Sequence, residues 1–452
     1  MSMKVADIPG NMLRSFDEPG HWYTSYPSLN HWTEDFSPEI HRKALKEFVK
    51  ADDPLHLYLH IPFCAKLCWY CICNIVVSND RAKIQFFLDH MLKEIDLLKR
   101  FANGDPLNIR EVQFGGGTPS HLDQGQFSQL CERLNTLFEM KRIDEVAMEI
   151  DPRTVTQSDL RHYASHGVTR ISFGIQDFDP KVQEAINRVQ PPEMIEALLV
   201  PWIRKLFKGI NFDLLYGLPL QSLDTLAQTI ERVLLFRPER ITLLKYCHAP
   251  DVRRHMKLIQ TGDIPQNLSQ MFVNIVQSLL DAGYVWVGLD HFALSSDSLA
   301  QAQIKGTVGR TFNGFTPGRV RDMIGVGPTT TQAYGRIYCQ SHYDLNEYYQ
   351  SVNQGQFPIL RGCSLSQDDV LRREVIFSLL CRQEANLDPV YFWKELKQLK
   401  TMPELCEVND SHIKVTTWGR VLLRNICKVF DARDIQPEHL KIAQRTITRR
   451  AA

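Results

Sequence analysis

The chain has 452 residues, more than one ordinary core holds, so we expect one large α/β domain and a smaller one. Lysine plus arginine equals aspartate plus glutamate, at 52 each, which argues against a nucleic-acid-binding protein, since those usually carry a basic excess. No apolar run has the length of a secretory signal or a membrane span, so we expect a cytoplasmic protein with its eleven cysteines free or metal-bound.

A strand followed by a helix recurs along the first two thirds of the chain. Short apolar runs predict strands at 57–61, 111–114, 146–150, 170–175, 210–216, 241–246 and 285–289, and most are followed by apolar residues at helical spacing. Such alternation favours right-handed crossovers and a parallel sheet. The fold class is therefore α/β, with a partial or complete β/α barrel.

The pattern changes at both ends of the chain and divides it into three parts. Residues 1–50 precede the first strand and are expected to form an N-terminal arm, residues 51–345 the barrel domain, and residues 346–452 a smaller, mainly helical C-terminal domain. Helical stretches at 368–382 and 388–399 dominate the last part, which also has a turn at Asn409-Asp410.

Four cysteines lie close together directly after the first predicted strand: Cys64, Cys68, Cys71 and Cys73. The first three have the spacing C-x3-C-x2-C, and thiolates hold iron–sulfur clusters. A four-iron cubane with three protein ligands leaves one iron open, and S-adenosylmethionine (SAM) can chelate it through its amino and carboxylate groups. A zinc site on all four cysteines is the alternative, but zinc sites usually join two separated pairs. A chance group of free thiols is the other alternative.

Polar and glycine residues gather where the other predicted strands end, which is the active-site end of a β/α barrel. Gly115-Gly116-Gly117-Thr118-Pro119 follows the second strand, where bare backbone can approach the amino group of SAM. Glu149 and Asp213 could bind ribose hydroxyls or a sulfonium-bearing ligand. Gln176 and Arg188 offer an amide and a charge to a carboxylate.

The cysteine triplet and the Gly-Gly-Gly-Thr-Pro run resemble those of the radical SAM superfamily. The wider sequence resembles the oxygen-independent coproporphyrinogen III oxidases over nearly the whole chain, and Cys73 also matches that family. The motifs that carry this resemblance are Tyr23-Thr24-Ser25-Tyr26-Pro27, Glu149-Ile150-Asp151-Pro152-Arg153, Gly174-Ile175-Gln176-Asp177-Phe178, Asp213-Leu214-Leu215-Tyr216-Gly217-Leu218-Pro219 and Asp290-His291-Phe292-Ala293.

The resemblance implies an oxidoreductase of heme biosynthesis with one [4Fe-4S] cluster on Cys64, Cys68 and Cys71 and two SAM molecules. Such an enzyme converts two propionates of coproporphyrinogen III to vinyl groups, giving protoporphyrinogen IX without oxygen. It also implies a tetrapyrrole substrate and an electron donor such as a flavodoxin or a ferredoxin-like protein, and we expect a monomer. The residues that would line the SAM sites are Tyr58, which also enters the catalytic set, Tyr70, Gly116, Gly117, Thr118, Glu149, Gln176, Arg188, Asp213 and Cys247.

The sequence departs from the family pattern at four places near the expected ligands. Ile72 replaces a glycine, Trp22 an arginine and Asn313 a glutamine, and the run Gly325 to Thr331 ends in threonines. Two alternatives therefore stay open. One is a radical SAM paralogue that acts on another tetrapyrrole or another substrate. The other is a heme-binding or heme-delivery protein on the same fold, for which His248 and His291 are candidate ligands.

Overall fold

The computed structural model describes residues 4–14, 21–102, 107–318 and 320–433. Its strands are β1 Leu55–Ile61, β2 Phe63–Cys64, β3 Val76–Val77, β4 Ile109–Gly116, β5 Glu145–Ile150, β6 Arg170–Gln176, β7 Gly209–Tyr216, β8 Arg240–Lys245, β9 Tyr284–Gly288, β10 His291–Leu294, β11 Gly309–Thr311, β12 Gly314–Thr316, β13 Asp322–Val326, β14 Thr331–Tyr334, β15 Ile337–Ser341, β16 Ile359–Ser364, β17 Glu384–Asn386, β18 Cys406–Asn409 and β19 His412–Val415.

The helices alternate with these strands in the central part of the chain and dominate its end. They are α1 Gly10–Leu13, α2 Pro38–Ala51, α3 Arg81–Phe101, α4 Gln124–Leu134, α5 Gln157–Ser165, α6 Pro180–Ala185, α7 Pro192–Leu198, α8 Pro201–Arg204, α9 Leu223–Phe236, α10 Leu268–Asp281, α11 Ser298–Ile304, α12 Leu345–Asn353, α13 Gln367–Arg382, α14 Trp393–Leu399, α15 Thr417–Val421 and α16 Leu423–Lys428.

One sheet organises the fold, with its strands in the order β16-β15-β14-β13-β1-β4-β5-β6-β7-β8-β10-β9. The strands β1, β4, β5, β6, β7 and β8 run parallel, each joined to the next through at least one helix, and β13 is parallel to β1 on its other side. The sheet has two edges, so the barrel is partial. This confirms the α/β fold class.

Burial of apolar faces explains why these segments form a strand and a helix in turn. Leu57, Leu59 and Ile61 of β1 are fully buried, and α3 buries Phe87 and Met91 with other apolar residues at helical spacing. Asp80 caps α3 by accepting hydrogen bonds from the N–H groups of residues 82 and 83.

The register of the first two parallel strands determines what meets at their carboxyl ends. Ile61 of β1 lies opposite Gly116 of β4, and the N–H of Gly117 donates to the carbonyl of Ile61 at 2.8 Å. The chain that leaves β1 toward the cysteines is therefore hydrogen-bonded to the chain that leaves β4 through the glycines. Parallel strands placed in this way bring loops that are distant in sequence to one edge.

The predicted strand at 285–289 exists as β9, but the prediction that it extends the parallel series is wrong. β9 is antiparallel to β10, and β10 is antiparallel to β8. The chain reverses directly at Leu289, whose φ is 41°, and at Asp290, without the helical crossover that parallel strands require.

Four strands that the sequence did not predict, β13 to β16, extend the sheet beyond β1. β16 ends at Ser364, past residue 345, where the sequence placed the end of the barrel domain. The helix predicted at 388–399 begins only at Trp393. The Asp388 carboxylate accepts hydrogen bonds from the N–H groups of Val390 and Tyr391 and forms a turn there instead.

The two ends of the described chain pack together. Tyr23 and Tyr26 of the predicted arm are buried, Tyr23 donates a hydrogen bond to Asp431, and the hydroxyl of Tyr26 accepts one from the N–H of Ala432. The later helices pack with a small sheet of order β17-β19-β18. Residues 434–452 of the predicted C-terminal domain lie outside the described residues. Within the described ranges, no helix combines the length and apolarity needed to cross a bilayer.

Candidate active site at the carboxyl ends of the parallel strands

The loop that carries the cysteines is fixed to its surroundings by hydrogen bonds to its backbone. The N–H of Trp69 donates to the carbonyl of Ile186 at 3.0 Å, and the side-chain amide of Asn187 donates to the carbonyl of Leu67 at 2.8 Å. Trp69 and Tyr70 also pack against a small apolar cluster formed by Val182, Ile186, Leu215, Leu218, Tyr246, Met256 and Ile259. These hydrogen bonds and apolar contacts hold the cysteine loop in place.

Side-chain hydrogen bonds connect two of the predicted cluster cysteines, Cys64 and Cys68, to neighbouring segments. The Cys64 thiol is hydrogen-bonded to the Thr118 hydroxyl at 3.2 Å. The Cys68 sulfur accepts from Arg153 Nη2 at 3.4 Å and from Arg188 Nη1 at 3.5 Å. Two guanidinium groups therefore lie within hydrogen-bonding distance of this one sulfur.

The pKa values of Cys71 and Cys64 are shifted in opposite directions. A hydrogen bond with Cys73 lowers the pKa of Cys71 to about 7, and Arg253 and Arg188 contribute in the same direction. Burial raises the pKa of Cys64 to about 12, and the nearby Cys71 and Cys68 add to that rise. The three thiols therefore lie close enough to interact electrostatically.

These residues fit an iron–sulfur cluster better than a zinc ion. A structural zinc site needs four ligands around one point and usually takes them as two pairs from separated segments, whereas these cysteines lie in one loop. A cluster instead takes cysteine thiolates at separate irons, and the Cys64, Cys68 and Cys71 loop supplies three.

The glycine run forms a bare strip of backbone between the cysteine loop and Glu149. A Cβ on Gly115 would lie 2.6 Å from a Glu149 oxygen, and one on Gly117 would lie 2.6 Å from the carbonyl oxygen of Pro62. Gly116 has a φ of +118°, which disfavours any other residue. Each glycine is therefore required by this geometry, because a side chain at any of the three positions would be strained or would collide with the cysteine loop, Tyr58, His60 or Glu149.

Two acidic residues, Glu149 on β5 and Asp213 on β7, lie near each other beside this strip. Glu149 accepts hydrogen bonds from Gln113 at 3.1 Å and from the N–H of Gly116 at 3.3 Å. Burial and the charge of Asp213 raise the pKa of Glu149 to about 7. Asp213 accepts hydrogen bonds from Ser172 at 2.6 Å and Asn211 at 2.8 Å, and burial raises its pKa. The pair suits a ligand that carries positive charge or hydroxyl donors.

A buried basic group, Arg188, follows β6 in the chain and packs back against that strand. Arg188 is buried, donates to the carbonyl of Gly174 at 2.7 Å and lies 3.5 Å from Asp151. A Cβ on Gly174 would lie 2.9 Å from both Arg188 and the amide of Gln176, so those two predicted residues flank one glycine. Gln176 itself has a φ of 66° at the end of β6.

The remaining predicted site residues are not all in this group. The Tyr58 ring lies beside the glycine strip, since a Cβ on Gly115 would be 2.8 Å from it, and its hydroxyl is 3.2 Å from His60 Nδ1. Tyr70 lies near Arg188 and Cys68. Cys247 is exposed after β8, and within the described part of the chain it makes no contact that joins it to the others.

Several site residues were missed by the sequence reasoning. Arg153 pairs with Asp151 at 2.7 Å and reaches Cys68, and the Asp-Pro-Arg run after β5 was the available signal. His60 Nε2 lies 3.3 Å from the hydroxyl of Thr329, so β1 contacts the loop before β14. Arg253 and His255 contact the cysteine loop from a segment 180 residues away, which no local pattern indicates.

All four departures from the family pattern have defined surroundings, and the run Gly325 to Thr331 includes the Thr329 that contacts His60. Ile72 is exposed at the tip of the cysteine loop. Trp22 stacks under the guanidinium of Arg424, 4.4 Å from the ring centre. Asn313 forms the tip between β11 and β12, next to Gly314, where a Cβ would lie 3.2 Å from His291.

The two histidines that could hold heme each have a partner. His248 Nδ1 is 2.8 Å from the Tyr246 hydroxyl. His291 Nδ1 is 2.6 Å from the Asp290 carboxylate. Both are therefore hydrogen-bonded as ordinary histidines are.

Comparison with known proteins agrees with this site. Residues 58–233 match the radical SAM superfamily, whose members use a [4Fe-4S] cluster and SAM. The chain is 36% identical over 406 residues to the oxygen-independent coproporphyrinogen III oxidase of Pseudomonas aeruginosa, covering 86% of this chain and 88% of the relative. It is 35% identical over 413 residues to that of Escherichia coli, covering 88% of this chain and 90% of the relative.

The solved coproporphyrinogen III oxidase (HemN) of Escherichia coli, a radical SAM enzyme, aligns with a TM-score of 0.85 at 35% identity, covering 91% of this chain and 97% of that one. The chain therefore belongs to the oxygen-independent coproporphyrinogen III oxidase family of the radical SAM superfamily.

Proposed function

We propose that this protein is an oxidoreductase of heme biosynthesis that converts coproporphyrinogen III to protoporphyrinogen IX without oxygen. The observation that carries the proposal is the extent of the match, since identity of 36% runs over 86% of the chain and 88% of the Pseudomonas aeruginosa relative. The similarity therefore includes the regions outside the cysteine loop and the glycine run, where the substrate would be selected.

The chain's own residues support the chemistry in distinct ways. Cys64, Cys68 and Cys71 would hold the [4Fe-4S] cluster. Together the bound cluster and SAM would supply the radical chemistry that removes one hydrogen atom from the β-carbon of a substrate propionate. The propionate would then lose carbon dioxide and pass one electron to an external one-electron acceptor, which leaves a vinyl group.

The protein positions the ligands and keeps water away from them. Carbonyl groups of the glycine strip would accept hydrogen bonds from the amino group of SAM, and the Glu149 carboxylate, which lies against the strip, would accept from its hydroxyls or pair with its sulfonium. Arg153 and Arg188 donate hydrogen bonds to the Cys68 sulfur, and Arg188 also donates to the carbonyl of Gly174, so that the cysteine loop is held against β6. Tyr58 closes the strip on the β1 side.

We also propose that two SAM molecules bind each chain. The predicted SAM residues extend from Tyr58 on β1 to Cys247 after β8, across six neighbouring strands. Isothermal titration of the anaerobically reconstituted protein would give the stoichiometry, and a value of one would overturn this part of the proposal. The division of the chain at residues 50 and 345, the monomeric state and the identity of the electron donor stay predictions.

The decisive assay combines the full chain, reconstituted anaerobically, with coproporphyrinogen III, SAM and dithionite. The expected products are protoporphyrinogen IX, carbon dioxide and 5′-deoxyadenosine, and Cys71→Ala should abolish all three. Cleavage of SAM without a vinyl product would favour a paralogue with another substrate. Stable heme binding without SAM turnover would favour a heme-delivery protein.

A further inference from the structure

A basic cleft lies beside the cysteine loop. Its cavity of about 490 Å³ is bounded by residues Leu67, Cys73, Asn74, Ile75 and Val77 on one side and by Pro250–Lys257 on the other. Arg253, Arg254, His255 and Lys257 line it, and Asp251 is the one acidic residue among its lining. The whole chain has a formal net charge of zero, so this is a local concentration of positive charge.

The basic segment is bonded to the loop that would carry the cluster. His255 Nε2 donates to the carbonyl of Cys71 at 2.8 Å, and Arg253 Nε donates to the carbonyl of Ile72 at 2.8 Å. A molecule seated in the cleft would therefore be separated from a predicted cluster ligand by one histidine ring and one peptide group.

Apolar side chains are exposed beside this charge. Ile72 is 43% exposed, Val77 48% and Leu258 54%. A small apolar area with a charged rim is suited to a transient complex, in which the charges speed association and the apolar contacts give modest affinity. The charge on the rim selects a partner whose surface is acidic.

We propose that this cleft docks the small acidic one-electron carrier protein, of the flavodoxin or ferredoxin class, that reduces the cluster. The inference rests on the proposed function, because radical formation from SAM consumes an electron that must reach the cluster from outside. In the docked complex one electron passes from the carrier to the cluster. No covalent bond forms or breaks, and no proton is transferred.

The test uses Arg254→Glu/Lys257→Glu in the reconstituted full chain. Both side chains are exposed and neither is among the residues that hold the cysteine loop. The matched control is Lys43→Glu/Lys46→Glu on α2, where both lysines are also exposed. For each protein one measures iron and sulfide content, SAM cleavage driven by dithionite, and SAM cleavage driven by a reduced acidic flavodoxin and by a reduced ferredoxin. Carrier affinity is titrated at low and high ionic strength.

The cleft variant should bind the carrier at least tenfold more weakly at low salt and lose carrier-driven cleavage in proportion. Its cluster content and dithionite-driven cleavage should match the wild type, and the control variant should match in every measurement. Unchanged carrier affinity and rate would overturn the proposal. So would weaker binding of coproporphyrinogen III with unchanged carrier binding, which would make the cleft a site for substrate carboxylates.

Two further measurements keep the result interpretable. If the double charge reversal lowers the yield of folded protein, Arg254→Gln/Lys257→Gln replaces it, with a smaller weakening expected and no change counting against the proposal. If the wild type fails to cleave SAM with dithionite, the proposed function fails. The carrier titration still tests the docking site independently, because it measures association and needs no turnover.

Discussion

The carboxylate of Glu149 accepts a hydrogen bond from the backbone N–H of Gly116 across 3.3 Å. This contact joins β5 to the glycine strip that follows β4, so the two elements present one surface to a ligand. Burial and the charge of Asp213 raise the pKa of Glu149 from 4.5 to about 7. The Glu149 side chain therefore changes from a neutral acid to a carboxylate as the pH rises through about 7.

We expect SAM to bind more tightly as the pH rises from 6 to 8. Because its pKa is raised, the Glu149 carboxylate forms only as the pH passes about 7. The hydroxyl and sulfonium groups of SAM prefer the carboxylate to the neutral acid, so the affinity for SAM should increase by up to about tenfold. Glu149→Gln should bind SAM more weakly and without this pH dependence. Isothermal titration of oxidised, reconstituted protein measures both.

The matched control for this change is Glu111→Gln. Glu111 is also buried, but it lies on β4 toward its amino end and pairs with His56 at 3.2 Å, away from the site. The control should keep the wild-type pH dependence. A Glu149→Gln protein with an unaltered pH profile would show that another group governs SAM binding.

Replacing Gly117 by alanine should damage both stability and the site. The new Cβ would lie 2.6 Å from the carbonyl oxygen of Pro62, so the backbone that leads into the cysteine loop must move. Overpacking of this kind costs about 1 to 3 kcal/mol, and the displaced loop should take up less iron. Urea unfolding and iron analysis measure the two effects.

Gly262→Ala is the control for that substitution, because a Cβ there meets nothing within 4 Å. It should leave the free energy of unfolding within about 0.5 kcal/mol of the wild type. Equal unfolding curves and equal iron content for the two alanine variants would contradict the role given to Gly117.

Much of the fold follows from local pattern, and the exceptions share one cause. The strands β1, β4, β5, β6, β7 and β8 were predicted because each is a buried apolar run followed by a helix. The direction of β9 and the existence of β13 to β16 depend on which distant strand pairs with them. β13 is parallel to β1 although they are more than 250 residues apart, and no window of sequence reports such a pairing.

The site was predicted to a similar degree and for a similar reason. The spacing of the cysteines and of the glycine run predicts that they belong to the site. Glu149, Asp213 and Gln176 are predicted because they lie at or near the ends of strands. The contacts of Arg153 with Cys68 and of His255 with the carbonyl of Cys71 depend on how loops fold over the edge of the sheet. Neither residue type is distinctive on its own, so only the three-dimensional fold shows these contacts.

The four clustered cysteines should separate into two classes. Cys64→Ala, Cys68→Ala and Cys71→Ala should each abolish the visible absorbance of the cluster and all SAM cleavage, because each removes one of three iron ligands. Cys73→Ala should keep the cluster, although loss of the hydrogen bond that lowers the pKa of Cys71 should slow assembly near neutral pH. Iron and labile sulfide analysis distinguishes the classes, and loss of iron in Cys73→Ala would overturn the ligand assignment.

A buried ion network stabilises the opposite end of the sheet. Asp297 accepts hydrogen bonds from Arg170 and Arg240, each at 2.8 Å, and Glu145 accepts from Arg240 at 2.6 Å. Burial opposes the ionisation of Glu145, but the Arg240 and Arg170 guanidinium groups outweigh it and lower its pKa from 4.5 to about 2. These side chains link β5, β6, β8 and the start of α11.

Asp297→Asn should destabilise the protein by about 3 to 5 kcal/mol at pH 7, because it leaves two buried guanidinium groups with one carboxylate between them. The exposed pair of Glu139 and Arg142 supplies the control, since Glu139→Gln should cost less than about 1 kcal/mol. Because Glu145 has a lowered pKa, its contribution is complete above pH 4.5 and is lost as the pH falls toward 2. The wild type should therefore lose stability steeply over that interval in urea unfolding. An Asp297→Asn protein as stable at pH 7 as the Glu139→Gln control would mean that the paired charges contribute little beyond the cost of burying them.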